Sequence, residues 1–169
     1  MTIDGKGKFR LIYRDSDETG DRFRIAACDF SDMGEYRVGE PVDLTLDGMP
    51  PGDLCASPVA YDPVRKVYYL MAEKEWDGVV RCCRETVVAV ASADALERGE
   101  AEWTTLAVLD SGVTGRYGNH NPAVVRDPYG RIRHPDRLEM SLSSGEQSYI
   151  WSFRICGIVG ELVEPSSAI

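Results

Sequence analysis

The chain has no paired-cysteine motif, few lysines, only two histidines and no long apolar run, and each shortage closes off a class of protein. Its five cysteines are Cys28, Cys55, Cys82, Cys83 and Cys156. The number is odd, no CxxC occurs, and Cys82 and Cys83 are adjacent. This argues against a secreted disulfide framework and against a zinc site. All five thiols are expected to be free, and neither a metal nor a cofactor is expected. No stretch approaches the roughly 20 apolar residues of a membrane-spanning helix. The opening residues, Met1 to Lys8, are polar and do not read as a signal peptide. The expectation is a cytoplasmic protein.

Basic residues are short as well: 19 Lys and Arg against 28 Asp and Glu, for a net charge of −9. A nucleic-acid partner would want a basic face, and so would an anionic membrane surface. Neither partner is expected. The arginines are scattered, so they do not mark one anion site. Helical periodicity is nearly missing too. The one short helical turn expected has Ser92 as its N-cap and Gly99 as its stop.

What is present is alternation. Phe23, Ile25 and Ala27 fall on one side of a run, with Arg22 and Arg24 on the other. Leu138, Met140 and Leu142 alternate with Glu139 and Ser141. This is the two-residue period of half-buried antiparallel strands. Val87 to Ala91 is apolar on both faces and reads as a central strand. Asp77-Gly78 between two such runs signals a hairpin.

The alternation also repeats. Ser57-Pro58-Val59-Ala60-Tyr61-Asp62-Pro63 returns 64 positions later as Asn121-Pro122-Ala123-Val124-Val125-Arg126-Asp127-Pro128. A strand-like run follows each copy, Val67 to Met71 and Leu138 to Leu142, and a partial copy begins at Phe9. A β-rich unit recurring at about this period suggests propeller blades or a duplicated sheet. The expected fold is all-β and antiparallel, a single propeller-like domain over 1–169 of about three blades, with units near 9–44, 57–109 and 121–164. The first unit reads as lacking its first strand, and the third as lacking its last unless Glu161 to Glu164 supplies it. Open edges of this kind invite pairing with a second copy, so a homodimer completing the ring is expected. A small β-barrel or sandwich is the remaining alternative.

The repeated segments resemble those of a known family. Ser57-Pro58 through Leu70 resembles the inner strand pair of the five-bladed propeller glycosidases typified by glycoside hydrolase family 43. Ala89 to Asp94, followed by Trp103, is similar to that family's blade ending. Asn119-His120-Asn121-Pro122 before Asp127-Pro128-Tyr129-Gly130 resembles its strand opening. The resemblance spans roughly residues 9 to 157. It implies blades and, in a working enzyme, an Asp base and a Glu acid on inner strands. At those openings this chain has Ser57 and Asn121, which cannot act as bases, so no catalytic residue is assigned. Asp62 and Asp127 sit before prolines, where turn formation is the expected role.

The best site candidate is the loop Arg116, Tyr117, Gly118, Asn119, His120 and Asn121. An Arg, a Tyr, two amides and a His ahead of an inner strand suit hydrogen bonding to a polyhydroxylated ligand. The ligand-binding residues expected are Arg116, Tyr117, Asn119, His120 and Asn121. Glu73, Glu75 and Trp76 read as a solvated hairpin end, and His134 as part of an exposed loop. The function expected is binding of a glycan or a glycosylated small molecule, with glycoside hydrolysis left open. The alternative is a structural or interaction protein that kept the blades and lost the chemistry.

Overall fold

The protein is described from a computed structural model, which covers residues 2–3, 6–18, 20–31, 35, 37–48, 59–77, 82–100, 102–145 and 153–162. Three sheets, antiparallel apart from one short parallel pair, follow one another along the chain, so the fold is all-β and propeller-like as expected. The first sheet holds β1 (Thr2–Ile3), β2 (Phe9–Asp17), β3 (Gly20–Asp29), β4 (Arg37–Val38) and β5 (Val42–Asp43). The second runs in the order β6 (Thr45–Leu46), β10 (Glu102–Leu109), β9 (Cys82–Ser92), β8 (Val67–Asp77), β7 (Ala60–Asp62). The third is β11 (Gly118–Val124), β12 (Arg137–Gly145) and β13 (Phe153–Glu161).

Two helical turns complete the described chain. Helix α1 (Ala93–Glu97) starts where the sequence places it, with Ser92 Oγ accepting from Ala95 N. Helix α2 (Ser111–Thr114) is an addition: Asp110 caps it and Gly115 ends it at φ 66°, a left-handed conformation that glycine adopts without strain.

Some boundaries differ from expectation. Thr2–Ile3 pairs with β2, so the first unit has a short opening strand after all. After β3 the chain forms two separate short strands, β4 and β5, both bonded to β3. Glu161 is the end of β13, and Val163 and Glu164 lie outside the described residues. The second sheet gains β6, which pairs in parallel with the start of β10.

The second sheet is covered on both faces, which explains its composition. Tyr68, Leu70 and Ala72 of β8 point toward the first sheet, joining Phe23, Ile25, Leu44, Val87, Ala89 and Trp103. Tyr69 and Met71 point the other way, joining Val88, Val124, Leu138, Met140 and Leu142. A strand buried on both sides cannot keep a polar face, so Val67 to Ala72 is continuous apolar sequence. Strand β9 is central, bonded to β8 on one side and β10 on the other.

The repeated Asp residues are turn residues. Asp62 Oδ1 accepts from the backbone N–H of Val64 at 2.8 Å and of Arg65 at 3.1 Å. Asp127 Oδ1 accepts from Tyr129 N at 2.9 Å and Arg131 N at 2.8 Å. The second turn docks on β7, the end strand of the second sheet. Tyr61 N donates to Gly130 O, and Ile132 N donates to Tyr61 O. Arg65 reinforces the junction by donating to Pro135 O at 2.6 Å and Leu162 O at 3.2 Å. His134 is half-buried and not fully exposed: its Nε2 lies 3.3 Å from Glu139 Oε1 and 3.0 Å from Arg137 Nη2.

Candidate functional site

The start of β11 crosses the end of the β8–β9 hairpin, and the candidate residues gather there. The segment expected to be a loop is a strand from Gly118 onward. The ladder with β12 holds from Gly118 to His120 and resumes at Ala123 after a register shift. Pro122 has no N–H to give the ladder, which accounts for a break at this point. Asn121 takes the break in a left-handed conformation, φ 48°, one that asparagine tolerates better than most residues.

This bulge builds the site. It turns the Asn121 N–H onto Glu73 Oε1, at 2.6 Å. It also brings His120 Nδ1 to 2.5 Å from the same oxygen. That contact is close in distance but lacks the alignment of a ring N–H bond. The other carboxylate oxygen, Oε2, accepts from Cys83 Sγ at 3.2 Å. Glu73 is only 2% exposed, contrary to its expected place at a solvated hairpin end. The reason is that the third sheet covers it. The side chains of Glu75 and Trp76 lie outside the described residues.

Beneath the rim, Asn119 is fully buried. Its Nδ2 donates to Arg84 O at 2.9 Å, and its backbone O accepts from Thr86 Oγ1 at 3.4 Å. Asn119 therefore ties β11 to β9 and is a structural residue more than a ligand contact. Its Oδ1 is buried and accepts nothing from the described residues. The outer rim is polar and partly open. The His120 side chain is 25% exposed, Asn121 is exposed, and Arg116 and Tyr117 are half-buried. Arg84 Cζ lies 5.2 Å from the centre of the Tyr117 ring, within cation–π range. Arg116 N bonds Thr114 Oγ1 at 3.2 Å, anchoring the chain as it leaves α2.

The structure leaves Tyr117 and His120 half-buried and Asn121 exposed, and it sends the Asn119 side chain inward. Sequence reading missed Glu73 and Cys83 as partners of His120. Alternation does put Glu73 on the Tyr69 and Met71 face of β8, toward the third sheet. It sets Cys83 opposite Thr86, so nothing in the pleat announces that contact.

No family model matches the chain, and no curated protein matches it in sequence. The resemblance to family 43 glycosidases therefore has no family match behind it. Among solved structures, a fucose lectin from Kordia zhangzhouensis in complex with methyl-fucoside is similar over 96% of each chain, at 10% identity and a TM-score of 0.37. Superposition that loose carries no property of the lectin to this chain.

Proposed function

We propose that this protein binds a polyhydroxylated ligand, a glycan or glycosylated small molecule, at the rim where β11 crosses the β8–β9 hairpin. One observation carries the reading: a buried carboxylate, Glu73, holds His120 at a partly open rim beside exposed Asn121. Nδ1 is buried beside that carboxylate, so a ligand would meet the ring through Nε2. Tyr117, beside Arg84, offers an amphipathic ring of the kind that packs on sugar faces. Arg116 and Asn121 add donors and an acceptor suited to hydroxyl or carboxylate groups.

Glycoside hydrolysis is not part of the proposal. It needs two placed carboxylates. Glu73 is buried and already engaged by the Asn121 N–H and Cys83, while Asp62 and Asp127 are committed to turns. The experiment is a titration of candidate glycans against the wild type and Asn121→Gly, which removes the amide but keeps the left-handed backbone free of strain. Affinity should fall by roughly tenfold, equivalent to about 1.4 kcal/mol. Equal affinity for both proteins overturns the assignment.

The reading also keeps the protein in the cytoplasm, where Cys28, Cys83 and Cys156 would stay reduced. It includes a homodimer. Strand β13 is the outer strand of the third sheet, and it exposes Ile155 at 85% and Val159 at 62%. These side chains also favour the second reading, an interaction protein. Val159 also lines an apolar cleft of about 830 Å³ between the second and third sheets, together with Val90, Leu106, Val113, Met140 and Ile158.

A further inference from the structure

We propose that Glu73, Cys83 and His120 form a site for a zinc-class divalent metal ion. One ligand atom of each, a carboxylate oxygen, a thiol sulfur and a ring nitrogen, lies within 4.8 Å of the others. They come from β8, β9 and β11, so the site exists only once the second and third sheets have packed. Sulfur, imidazole and carboxylate together select a borderline-soft ion such as zinc and not magnesium or calcium, which take oxygen ligands. Three protein ligands with a fourth position open is the pattern of an accessible zinc site.

The spacing fits after a small adjustment. Around a tetrahedral ion with bonds near 2.1 Å, neighbouring light ligand atoms stand roughly 3.3 Å apart. His120 Nδ1 and Glu73 Oε1 are 2.5 Å apart, and Cys83 Sγ and Glu73 Oε2 are 3.2 Å apart. Side-chain torsions of a partly exposed His120 can supply the missing separation. The Asn121 N–H on Glu73 Oε1 is the outer support that a metal-ligating carboxylate ordinarily has. Binding exchanges the Cys83 S–H bond to Glu73 for a sulfur–metal bond, and the thiol proton leaves to solvent. Glu73 and Cys83 are buried, so the open position faces the rim beside His120.

This site stands on geometry and does not depend on the glycan reading. The test is cobalt(II) titration of the full chain after dialysis against a chelator. Uptake of one ion should produce a sulfur-to-cobalt charge-transfer band in the near ultraviolet, reversed by added zinc. Cys83→Ser should abolish the band, whereas Cys28→Ser and Cys156→Ser should keep it. His120→Ala should weaken cobalt binding by at least about tenfold. Asn121→Gly should leave the spectrum unchanged, which separates this site from the ligand rim. A wild type without the band, or a band that survives Cys83→Ser, overturns the proposal. Should Cys83→Ser fail to fold, X-ray absorption of the zinc-loaded wild type decides instead. One sulfur with nitrogen and oxygen neighbours supports the site, and a sulfur-free shell overturns it.

Discussion

His120 Nδ1 stands 2.5 Å from Glu73 Oε1, so a residue of the third sheet is held by a carboxylate buried in the second. At the other end of β8, Arg65 crosses the same junction to Pro135 O and Leu162 O. Between these two polar clamps lies the apolar layer of Tyr69, Met71, Val88, Leu138, Met140 and Leu142. The sheet interface is thus fixed at both ends, and one end coincides with the candidate site.

Removing the Glu73 carboxylate should therefore cost stability as well as any binding. Glu73→Ala leaves the Asn121 N–H and the Cys83 thiol without their acceptor. Each buried group left unsatisfied costs about 1–3 kcal/mol. Urea denaturation should show a loss of roughly 3 kcal/mol, and an unchanged midpoint would show that the contacts are dispensable.

Asp62 should matter more than Asp127, its counterpart in the repeat. Asp62 is fully buried and, besides the two backbone donors, takes Arg65 Nη1 at 3.2 Å and Tyr69 Oη at 3.4 Å. Asp62→Ala is expected to lose about 2–4 kcal/mol and Asp127→Ala about 1 kcal/mol. Neither should alter ligand affinity. A weakened ligand in Asp62→Ala, measured on folded protein, would move the site to the opposite end of the sheet.

The two cores should be comparably important. Trp103 lies in the layer between the first and second sheets, and Leu142 in the layer between the second and third. Trp103→Ala should cost about 3–5 kcal/mol and Leu142→Ala about 2–5 kcal/mol by calorimetry. A negligible cost at either would mean that its sheet does not pack cooperatively with the second.

Acid should weaken the junction of β6 with β10. Asp47 Oδ1 accepts from Thr105 N at 3.0 Å and Oδ2 from Thr105 Oγ1 at 2.8 Å, and these bonds hold the carboxyl below its ordinary value. A carboxyl lowered in the folded state stabilises fully above its unfolded value, near pH 4. That contribution disappears as pH falls through the folded value. Stability of the wild type should decline more steeply below pH 4 than that of Thr105→Val, which lacks the hydroxyl donor. Parallel curves would contradict this.

Association should run through the outward face of β13. Light scattering at micromolar concentration should give the mass of two chains for the wild type and of one for Ile155→Asp. One chain for both proteins removes the dimer.

Much of this fold was legible from alternation and turn chemistry, because both are local. The central place of β9 followed from an apolar run without a polar face, and α1 from Ser92 and Gly99. The turn roles of Asp62 and Asp127 followed from the prolines after them. What was not legible depends on the packing of one sheet on another. Glu73 reads as exposed at the end of a hairpin until β11 covers it. Asn119 reads as a rim amide until its side chain is seen to reach Arg84 O. Cys83 joins the cluster against its strand parity, so no sequence period could place it there.

The central claim is that the rim at Tyr117, His120 and Asn121 holds a glycan. An array of mono- and oligosaccharides probed with the labelled wild type and Asn121→Gly tests it most directly. Binding of the wild type to a defined glycan class, lost or weakened roughly tenfold in Asn121→Gly, is the result expected. A wild type that binds no glycan, or a variant that binds as well, contradicts it.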